Sequence, residues 1–224
     1  MKVLITGAAG LVGSATTQEF LAHGYNVRAL DVKPLPATRQ DKLVTNPDLE
    51  LEIEPKLEMV YADILDKLSL LRACEGCEAV VHLAALGSMH KVEDRCFETN
   101  VVGTQLVLAA AEASGIKRVV LASSNCALGM VYSDGRRQPQ YLPVDEAHPA
   151  LADDYYGLSK IINEQTAAAF AQRSAMTVIC LRLTNVLNFN RGPQHRLWQR
   201  WQLKEQKDLR YHCLLYTSPS PRDS

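Results

Sequence analysis

The chain has 224 residues, and its 24 basic and 25 acidic side chains leave a formal net charge of −1. This length suffices for one substantial core, and the balanced charge gives no global electrostatic reason to expect a nucleic-acid partner. An apolar strand-like run follows Met1 directly, leaving no room for a signal peptide, and no apolar run reaches the length of a membrane span. We therefore expect a soluble cytoplasmic protein without a membrane or nucleic-acid partner.

The first strand-like run leads into a glycine-rich turn with the sequence TGAAGLVG, residues 6–13. Gly7 suits a tight turn, Gly10 lets the backbone approach a pyrophosphate, and Gly13 lets the next helix pack closely on the sheet. The N-terminus of that helix favours an anion through its N–H groups and its dipole. This pattern predicts a dinucleotide site, and its predicted residues are Gly7, Ala9, Gly10, Leu11, Val12 and Gly13.

Asp31 ends the next strand-like run, at the spacing from the glycine turn expected of an acid that binds the adenosine ribose. A carboxylate there accepts hydrogen bonds from the ribose hydroxyls and repels a 2′-phosphate, which favours NAD over NADP. No arginine follows Asp31 directly, although Lys33 lies close. The alternative is a solvated aspartate at a strand end. Residues 33–56, rich in proline and charge, are interpreted as a surface insertion.

Apolar strand-like runs alternate with longer helical patterns along the chain, which predicts parallel βαβ units. The predicted strands are residues 2–6, 27–31, 58–61, 79–83, 119–122 and 177–183. The predicted helices are residues 11–23, 65–74, 95–113 and 154–173. Strands this apolar have no face suited to water, so we expect helices on both faces of the sheet. The fold class is therefore α/β, a doubly wound parallel sheet of the Rossmann type.

Ligands of such sheets bind beyond the carboxyl ends of the strands, and small or acidic residues stand there. The further candidates for cofactor binding are Asp63, Ile64, Leu83, Ala84 and Ala85. Asp63 either accepts from the adenine amino group or caps the helix that follows it. His82 lies inside the fourth strand and is interpreted as a packed histidine rather than a base.

Cysteine usage indicates no metal site. Six cysteines at irregular positions favour reduced thiols in a reducing compartment. Cys74 and Cys77 have the CxxC spacing of some zinc and redox sites, but no second pair or suitable histidine cluster accompanies them.

Tyr156 and Lys160 are four residues apart on a predicted helix, which places the phenol and the ammonium group on one face. A tyrosine with a pKa of about 10 is a poor base at neutral pH, but a nearby cation lowers that pKa. The pair can then move a proton while NAD takes a hydride, with Ser124 holding the substrate hydroxyl. Any helix can show this spacing, so the interpretation depends on the glycine turn and the serine pair at the end of the fifth strand.

Taken together, these residues resemble the extended short-chain dehydrogenase/reductase superfamily, in particular its NAD-dependent epimerase/dehydratase group. The resemblance covers residues 1–190 and is carried by TGAAGLVG, Asp31, Asp63, HLAA at 82–85, NVVGT at 100–104, Ser123-Ser124, YGLSK at 156–160 and LRLTNV at 181–186. It implies that Tyr156 is the catalytic acid/base and that Lys160 activates it and anchors the nicotinamide ribose. It also implies that Ser124 orients the substrate and that Asn100 distorts a helix near the active site.

The serine pair continues into Asn125, and Tyr155 precedes Tyr156, a local pattern similar to uronate dehydrogenases. Those enzymes oxidise a hexuronate at the anomeric carbon to an aldarolactone. Asn125 either contacts the substrate, as Ser124 does, or caps its loop. The main alternative is a nucleotide-sugar 4-epimerase or dehydratase, whose first step is the same hydride abstraction. An alternative of another class is a non-catalytic NAD-binding regulatory protein, which needs no proton relay.

Members of this group continue into a substrate lobe for which this chain has little room. We expect an NAD-binding domain at 1–190, the start of a truncated lobe at 191–212, and a non-native or disordered tail at 213–224. That tail resembles translated sequencing-adapter DNA and also has the composition of a Ser/Pro-rich disordered segment. A homodimer through the helices 95–113 and 154–173 is the oligomer that the resemblance implies.

Overall fold

The computed structural model describes residues 1–35, 55–87, 93–131, 133, 137–184 and 186. The chain divides into two compact units, Met1–Arg182 and Leu183–Ser224, and the first contains nearly all the described residues. The expectations for residues 191–212 and 213–224, and most of the expected insertion at 33–56, lie outside the described residues.

Six strands form one sheet. They are β1 Lys2–Thr6, β2 Asn26–Asp31, β3 Leu57–Tyr61, β4 Ala79–His82, β5 Arg118–Ser124 and β6 Thr177–Leu183. Their order in the sheet is β3-β2-β1-β4-β5-β6, and the pairings of β1 with β2 and β4, of β2 with β3 and of β4 with β5 are parallel. The direction of winding reverses between β1 and β4, where ligands bind in such sheets. The predicted doubly wound fold is confirmed.

Helices connect these strands. They are α1 Leu11–Ala22, α2 Lys67–Cys74, α3 Glu93–Phe97, α4 Gly103–Ala113 and α5 Tyr155–Arg173. A π-helical turn, Glu98–Val102, joins α3 to α4, and a 3₁₀ turn, Asn125–Leu128, follows β5. No helix among the described residues is long and apolar enough to cross a membrane.

Alternate residues of the strands belong to two hydrophobic clusters, one on each face of the sheet. Leu4 and Val80 pack with residues of α2, α4 and α5, whereas Ile5 and Val81 pack with Leu21 of α1. Because successive strand side chains point to opposite faces, this division follows directly from the apolar composition of the strands. Helices cover both faces, as predicted.

The start of α2 differs from the prediction. The helix begins at Lys67 rather than at residue 65 because Asp66 is its N-cap, with the Oδ1 of Asp66 accepting from the backbone N–H groups of Leu68 at 3.0 Å and Ser69 at 3.2 Å. The proposed cap by Asp63 was wrong. Its Oδ1 accepts from Leu65 N at 3.0 Å, in the turn before the helix.

The CxxC pair lies at the other end of α2. A guanidinium nitrogen of Arg28 donates to the carbonyl oxygens of Ala73 at 2.8 Å and Glu75 at 2.7 Å, which satisfies acceptors at the helix C-terminus. The Cys77 thiol donates to Ala73 O at 3.4 Å, and burial raises the pKa of the Cys74 thiol to about 12. Both thiols have a raised pKa, which makes them poor nucleophiles, and both residues pack in the hydrophobic cluster on this side of the sheet.

Candidate active site

The glycine turn between β1 and α1 is too crowded for side chains at two positions. Gly7 has a φ of +70°, and a Cβ there would lie 2.5 Å from Ala84 N. A Cβ on Gly13 would lie 2.0 Å from the carbonyl oxygen of Gly7. Gly10 is the N-cap of α1 and donates its N–H to Gly7 O at 3.0 Å. The backbone of this turn therefore packs directly against the carboxyl end of β4, with the N-terminus of α1 beside it.

Asp31, at the end of β2, is bonded to this turn. Its Oδ2 accepts from Ala9 N at 2.9 Å, and its Oδ1 accepts from Lys33 N at 3.0 Å. An ionised carboxylate has about four acceptor positions, so both oxygens retain capacity for the hydroxyls of a ribose. The carboxylate is held in one orientation next to the glycine turn.

The other candidate cofactor residues lie at the neighbouring strand ends. Leu83 donates its N–H to Thr6 O at 3.1 Å and is half-buried, like Ala84, while Ala85 and Asp63 are exposed. Ile64 is buried against α4, where a Cβ on Gly103 would lie 2.5 Å from its Cδ1. The side chain of Ile64 therefore belongs to the core.

Tyr156 and Lys160 lie in the first turns of α5. The helix begins after Asp154, whose Oδ1 accepts from Gly157 N at 2.8 Å. Lys160 is 3% exposed, and its Nζ lies 5.5 Å from the centroid of the Tyr156 ring. The Nζ donates to the carbonyl oxygen of Ala122, in β5, at 2.9 Å. Burial lowers the pKa of Lys160 to about 8. The pair thus combines a half-buried phenol with a buried amine that titrates near neutral pH.

Ser124 is the last residue of β5 and caps the 3₁₀ turn. Its Oγ accepts from Cys126 N at 3.1 Å and donates to the Oδ1 of Asn125 at 3.4 Å. The hydroxyl keeps a second acceptor position, which suits a substrate hydroxyl. Asn125 is half-buried in the first position of the turn. The predicted cap by Asn125 was wrong, because Ser124 is the cap, and substrate contact by Asn125 stays a prediction.

Asn100 lies in the π turn between α3 and α4 and is fully buried. Its Oδ1 accepts from Leu86 N at 2.8 Å, and its Nδ2 donates to Leu86 O at 3.0 Å and to the Oγ of Ser159 at 3.1 Å. Ser159 immediately precedes Lys160 in α5. Asn100 therefore joins the segment after β4 to the helix that carries the tyrosine and the lysine. It lies in a distorted turn, where the resemblance places it.

Three further residues at the site had not been singled out from the sequence. Glu164 accepts from the Oγ of Ser123 at 2.5 Å and forms a two-bond ion pair with Arg182 of β6, at 2.9 and 2.8 Å. The signal for Glu164 was its position four residues after Lys160, on the same helix face. After Glu164 and Arg182, the third of these residues is Thr104, whose hydroxyl donates to Asn100 O at 2.6 Å.

The strand order, the glycine turn at the reversal of winding and the acid after β2 define a dinucleotide-binding protein of the Rossmann class. The chain belongs to the NAD dependent epimerase/dehydratase family, whose model matches residues 3–205. This family is part of the extended short-chain dehydrogenase/reductase group that the sequence resembles.

Two curated relatives illustrate the range of the family. The uronate dehydrogenase of Pseudomonas putida is 28% identical over 183 residues, covering 81% of this chain and 60% of that protein. The UDP-glucose 4-epimerase of Mus musculus is 31% identical over 192 residues, covering 82% of this chain and 53% of that protein. The chain thus spans little more than half the length of these relatives.

Solved structures share the fold. A short-chain dehydrogenase/reductase superfamily protein from Agrobacterium tumefaciens with bound NAD is 32% identical, with a TM-score of 0.66 over 81% of this chain and 48% of the other. MoeE5 in complex with UDP-glucuronic acid and NAD is 27% identical, with a TM-score of 0.71 over 89% of this chain and 60% of the other.

The described residues fit the cofactor of an NAD-dependent family. A Cβ at Gly7 or at Gly13 would clash with backbone atoms of the turn or of the segment after β4. Asp31 lies beside this turn, and both of its carboxylate oxygens can accept further hydrogen bonds. A carboxylate at this place matches ribose hydroxyls and disfavours a 2′-phosphate.

Proposed function

We propose that this protein is an NAD-dependent dehydrogenase of a sugar or sugar acid, with Tyr156 as the general base. The observation that carries the proposal is the buried Lys160 amine, 5.5 Å from the Tyr156 ring centroid and bonded to β5 two residues before Ser124. Binding a dinucleotide requires no such arrangement. A cation beside a phenol favours the phenolate and prepares the tyrosine to accept a proton.

In the proposed reaction, bound NAD supplies the acceptor for a hydride leaving the substrate carbon with its electron pair. Ser124 holds the hydroxyl on that carbon, and Tyr156 accepts the hydroxyl proton, so that the carbon–oxygen single bond becomes a carbonyl. Lys160 stabilises the phenolate before the transfer and contributes a donor for the nicotinamide ribose. The backbone of the glycine turn, together with Asp31, holds the other end of the cofactor.

Within this class we propose a hexuronate substrate, oxidised at its anomeric carbon. The Ser123-Ser124-Asn125 segment and the doubled tyrosine support it, together with the likeness to the uronate dehydrogenase of Pseudomonas putida. The second candidate is a nucleotide-sugar 4-epimerase or dehydratase. A similar degree of likeness to the UDP-glucose 4-epimerase of Mus musculus favours that candidate.

The test measures absorbance at the reduced-nicotinamide band in protein from the complete reading frame, with NAD and a panel of hexuronates and nucleotide sugars. Tyr156→Phe is compared with Tyr61→Phe, because Tyr61 ends β3 and is 64% exposed. We expect net NADH from a uronate, abolished by Tyr156→Phe and retained in Tyr61→Phe. Sugar isomerisation without net NADH would assign an epimerase. NAD binding with no turnover of any sugar would favour the non-catalytic regulatory protein.

We further propose that residues 1–190 form the NAD-binding domain and that the protein dimerises through residues 95–113 and 154–173, which contain the π turn, α4 and α5. The exposed apolar side chains of Val102, in the π turn, and Leu158, in α5, support such an interface. Light scattering on the complete gene product checks it, and a monomer at micromolar concentration would refute it.

A further inference from the structure

A chain of four hydrogen bonds passes through His82, in the centre of the sheet. Ala84 N lies 3.3 Å from the Oγ1 of Thr6, which lies 2.7 Å from the Nδ1 of His82. On the other side, the Nε2 of His82 lies 3.0 Å from the Oγ1 of Thr104, and that hydroxyl lies 2.6 Å from Asn100 O. Thr6, His82, Thr104 and Asn100 are all buried.

The Asn100 end of the chain determines the direction of the bond between Thr104 and His82. A backbone N–H only donates and a carbonyl oxygen only accepts, and each threonine hydroxyl has a single proton. Thr104 gives its proton to Asn100 O, so it must accept from the Nε2 of His82. The Nε2 of His82 therefore carries a proton. The Oγ1 of Thr6 accepts from Ala84 N and has a second lone pair and a proton of its own, so it can meet Nδ1 as acceptor or as donor.

Burial selects the neutral form, in which Nδ1 has no proton and accepts from Thr6. His82 is 3% exposed, and burial, with a smaller contribution from the charge of Lys160, lowers the pKa of His82 to about 3. A neutral imidazole with both nitrogens occupied is not available as a base.

The chain joins the two halves of the site. Thr6 and Ala84 both adjoin Gly7, at the predicted dinucleotide turn. At the other end, the side chain of Asn100 is bonded to Ser159, between Tyr156 and Lys160 in α5.

We propose that His82 is a positioning residue for the reaction: through Thr104 it fixes the Asn100 carbonyl in the π turn, and through Thr6 it ties that turn to the dinucleotide turn. The inference rests on the proposed hydride-transfer function. As a consequence, α5, which carries Tyr156 and Lys160, and the dinucleotide turn keep a fixed position relative to each other. Loss of the chain impairs the chemical step more than NAD binding.

Thr104→Val tests this, because it removes the hydroxyl and leaves a side chain of similar shape. We expect kcat to fall about tenfold, the effect of roughly one hydrogen bond, while KM for NAD stays within about twofold. Thr104→Ser keeps the hydroxyl and should restore most of kcat. Thr166→Val is the matched control, since its hydroxyl makes the same helical bond, to Ile162 O at 2.8 Å, and no histidine in the described part of the chain bonds to it. Equal kcat in Thr104→Val and wild type would overturn the proposal.

Nitrogen NMR on protein labelled in its histidines gives a readout independent of activity. We expect His82 as the neutral Nε2–H tautomer from pH 5 to pH 8, and a shift of the Asn100 side-chain amide signal in Thr104→Val but not in Thr166→Val. An Nδ1–H tautomer, titration within this range or an unmoved Asn100 signal would overturn the proposal. Wild-type protein that turns over no sugar would refute the proposed function, while the NMR signals still decide whether His82 orders Asn100.

Discussion

The ammonium nitrogen of Lys160 donates to the carbonyl oxygen of Ala122 at 2.9 Å, which joins α5 to β5 beside Ser124. The same nitrogen lies 5.5 Å from the Tyr156 ring centroid. One buried amine therefore stabilises the contact between helix and sheet and provides the cation near the phenol.

Lys160→Met should lower kcat/KM by about 10²-fold or more, the usual contribution of a group that supports acid–base chemistry. We expect this fall in kcat/KM because the variant lacks the cation that favours the Tyr156 phenolate. Steady-state NADH formation measures the effect. Lys117→Met, at an exposed lysine, should behave like wild type. Full activity in Lys160→Met would contradict the role assigned to the amine.

Lys160 should also make stability depend on pH. Its pKa is about 8 in the folded protein and near 10.5 in the unfolded chain, so between these values the unfolded state binds the additional proton. The free energy of unfolding should therefore rise with pH across this window, by about 3 kcal/mol relative to Lys160→Met. Denaturant unfolding of both proteins at pH 7.5 and pH 10 measures the difference, and parallel pH dependence would argue against it.

Gly13→Ala should destabilise the fold by about 2 kcal/mol or more, because the new Cβ would lie 2.0 Å from Gly7 O and the backbone has to move. The same displacement should weaken NAD binding. Gly87→Ala is the control for stability, since a Cβ there meets no atom of the described residues within 4 Å. Thermal unfolding and NAD titration measure the two effects. A variant at residue 13 as stable as the one at 87 would refute the crowding argument.

Asp31→Asn should weaken NAD binding about tenfold and reduce the preference for NAD over NADP. In Asp31, Oδ2 accepts from Ala9 N and Oδ1 accepts from Lys33 N. In the asparagine, an amide nitrogen replaces one of these oxygens and cannot accept a hydrogen bond. Fluorescence titration with both dinucleotides gives the ratio of their Kd values. An unchanged ratio would show that Asp31 does not discriminate between them.

Glu164→Gln should destabilise the protein at neutral pH by about 1–3 kcal/mol, because Arg182 and Ser123 lose a charged acceptor. Hydrogen bonds from Arg182 and Ser123 lower the pKa of Glu164 despite its burial. This contribution is therefore complete above the ordinary value of 4.5 and is lost as pH falls through the folded pKa. Glu112→Gln, at the more exposed pair with Arg173, should cost under about 1 kcal/mol. Equal losses in both variants would contradict the difference.

Strand positions were predictable because apolar runs bounded by glycine or acidic residues leave few alternatives. The predicted run 177–183 coincides with β6, and the predicted run 2–6 with β1. Helix ends were less predictable. Two aspartates, Asp63 and Asp66, precede α2, and only the backbone path selects which one caps it. The π turn interrupts a helical pattern whose periodicity runs on without a break from residue 95 to 113.

The sequence by itself determined the parallel sheet, the glycine turn, the acid after β2 and the Tyr156–Lys160 spacing, because these depend on contacts within one βαβ unit or one helix turn. Only the tertiary structure decided the partners of those residues. The bonds of Lys160 to Ala122, of Asn100 to Ser159 and of His82 to Thr104 connect positions 38, 59 and 22 residues apart in the chain. Such contacts arise when parallel strands bring their carboxyl ends to one edge, and no local pattern specifies them.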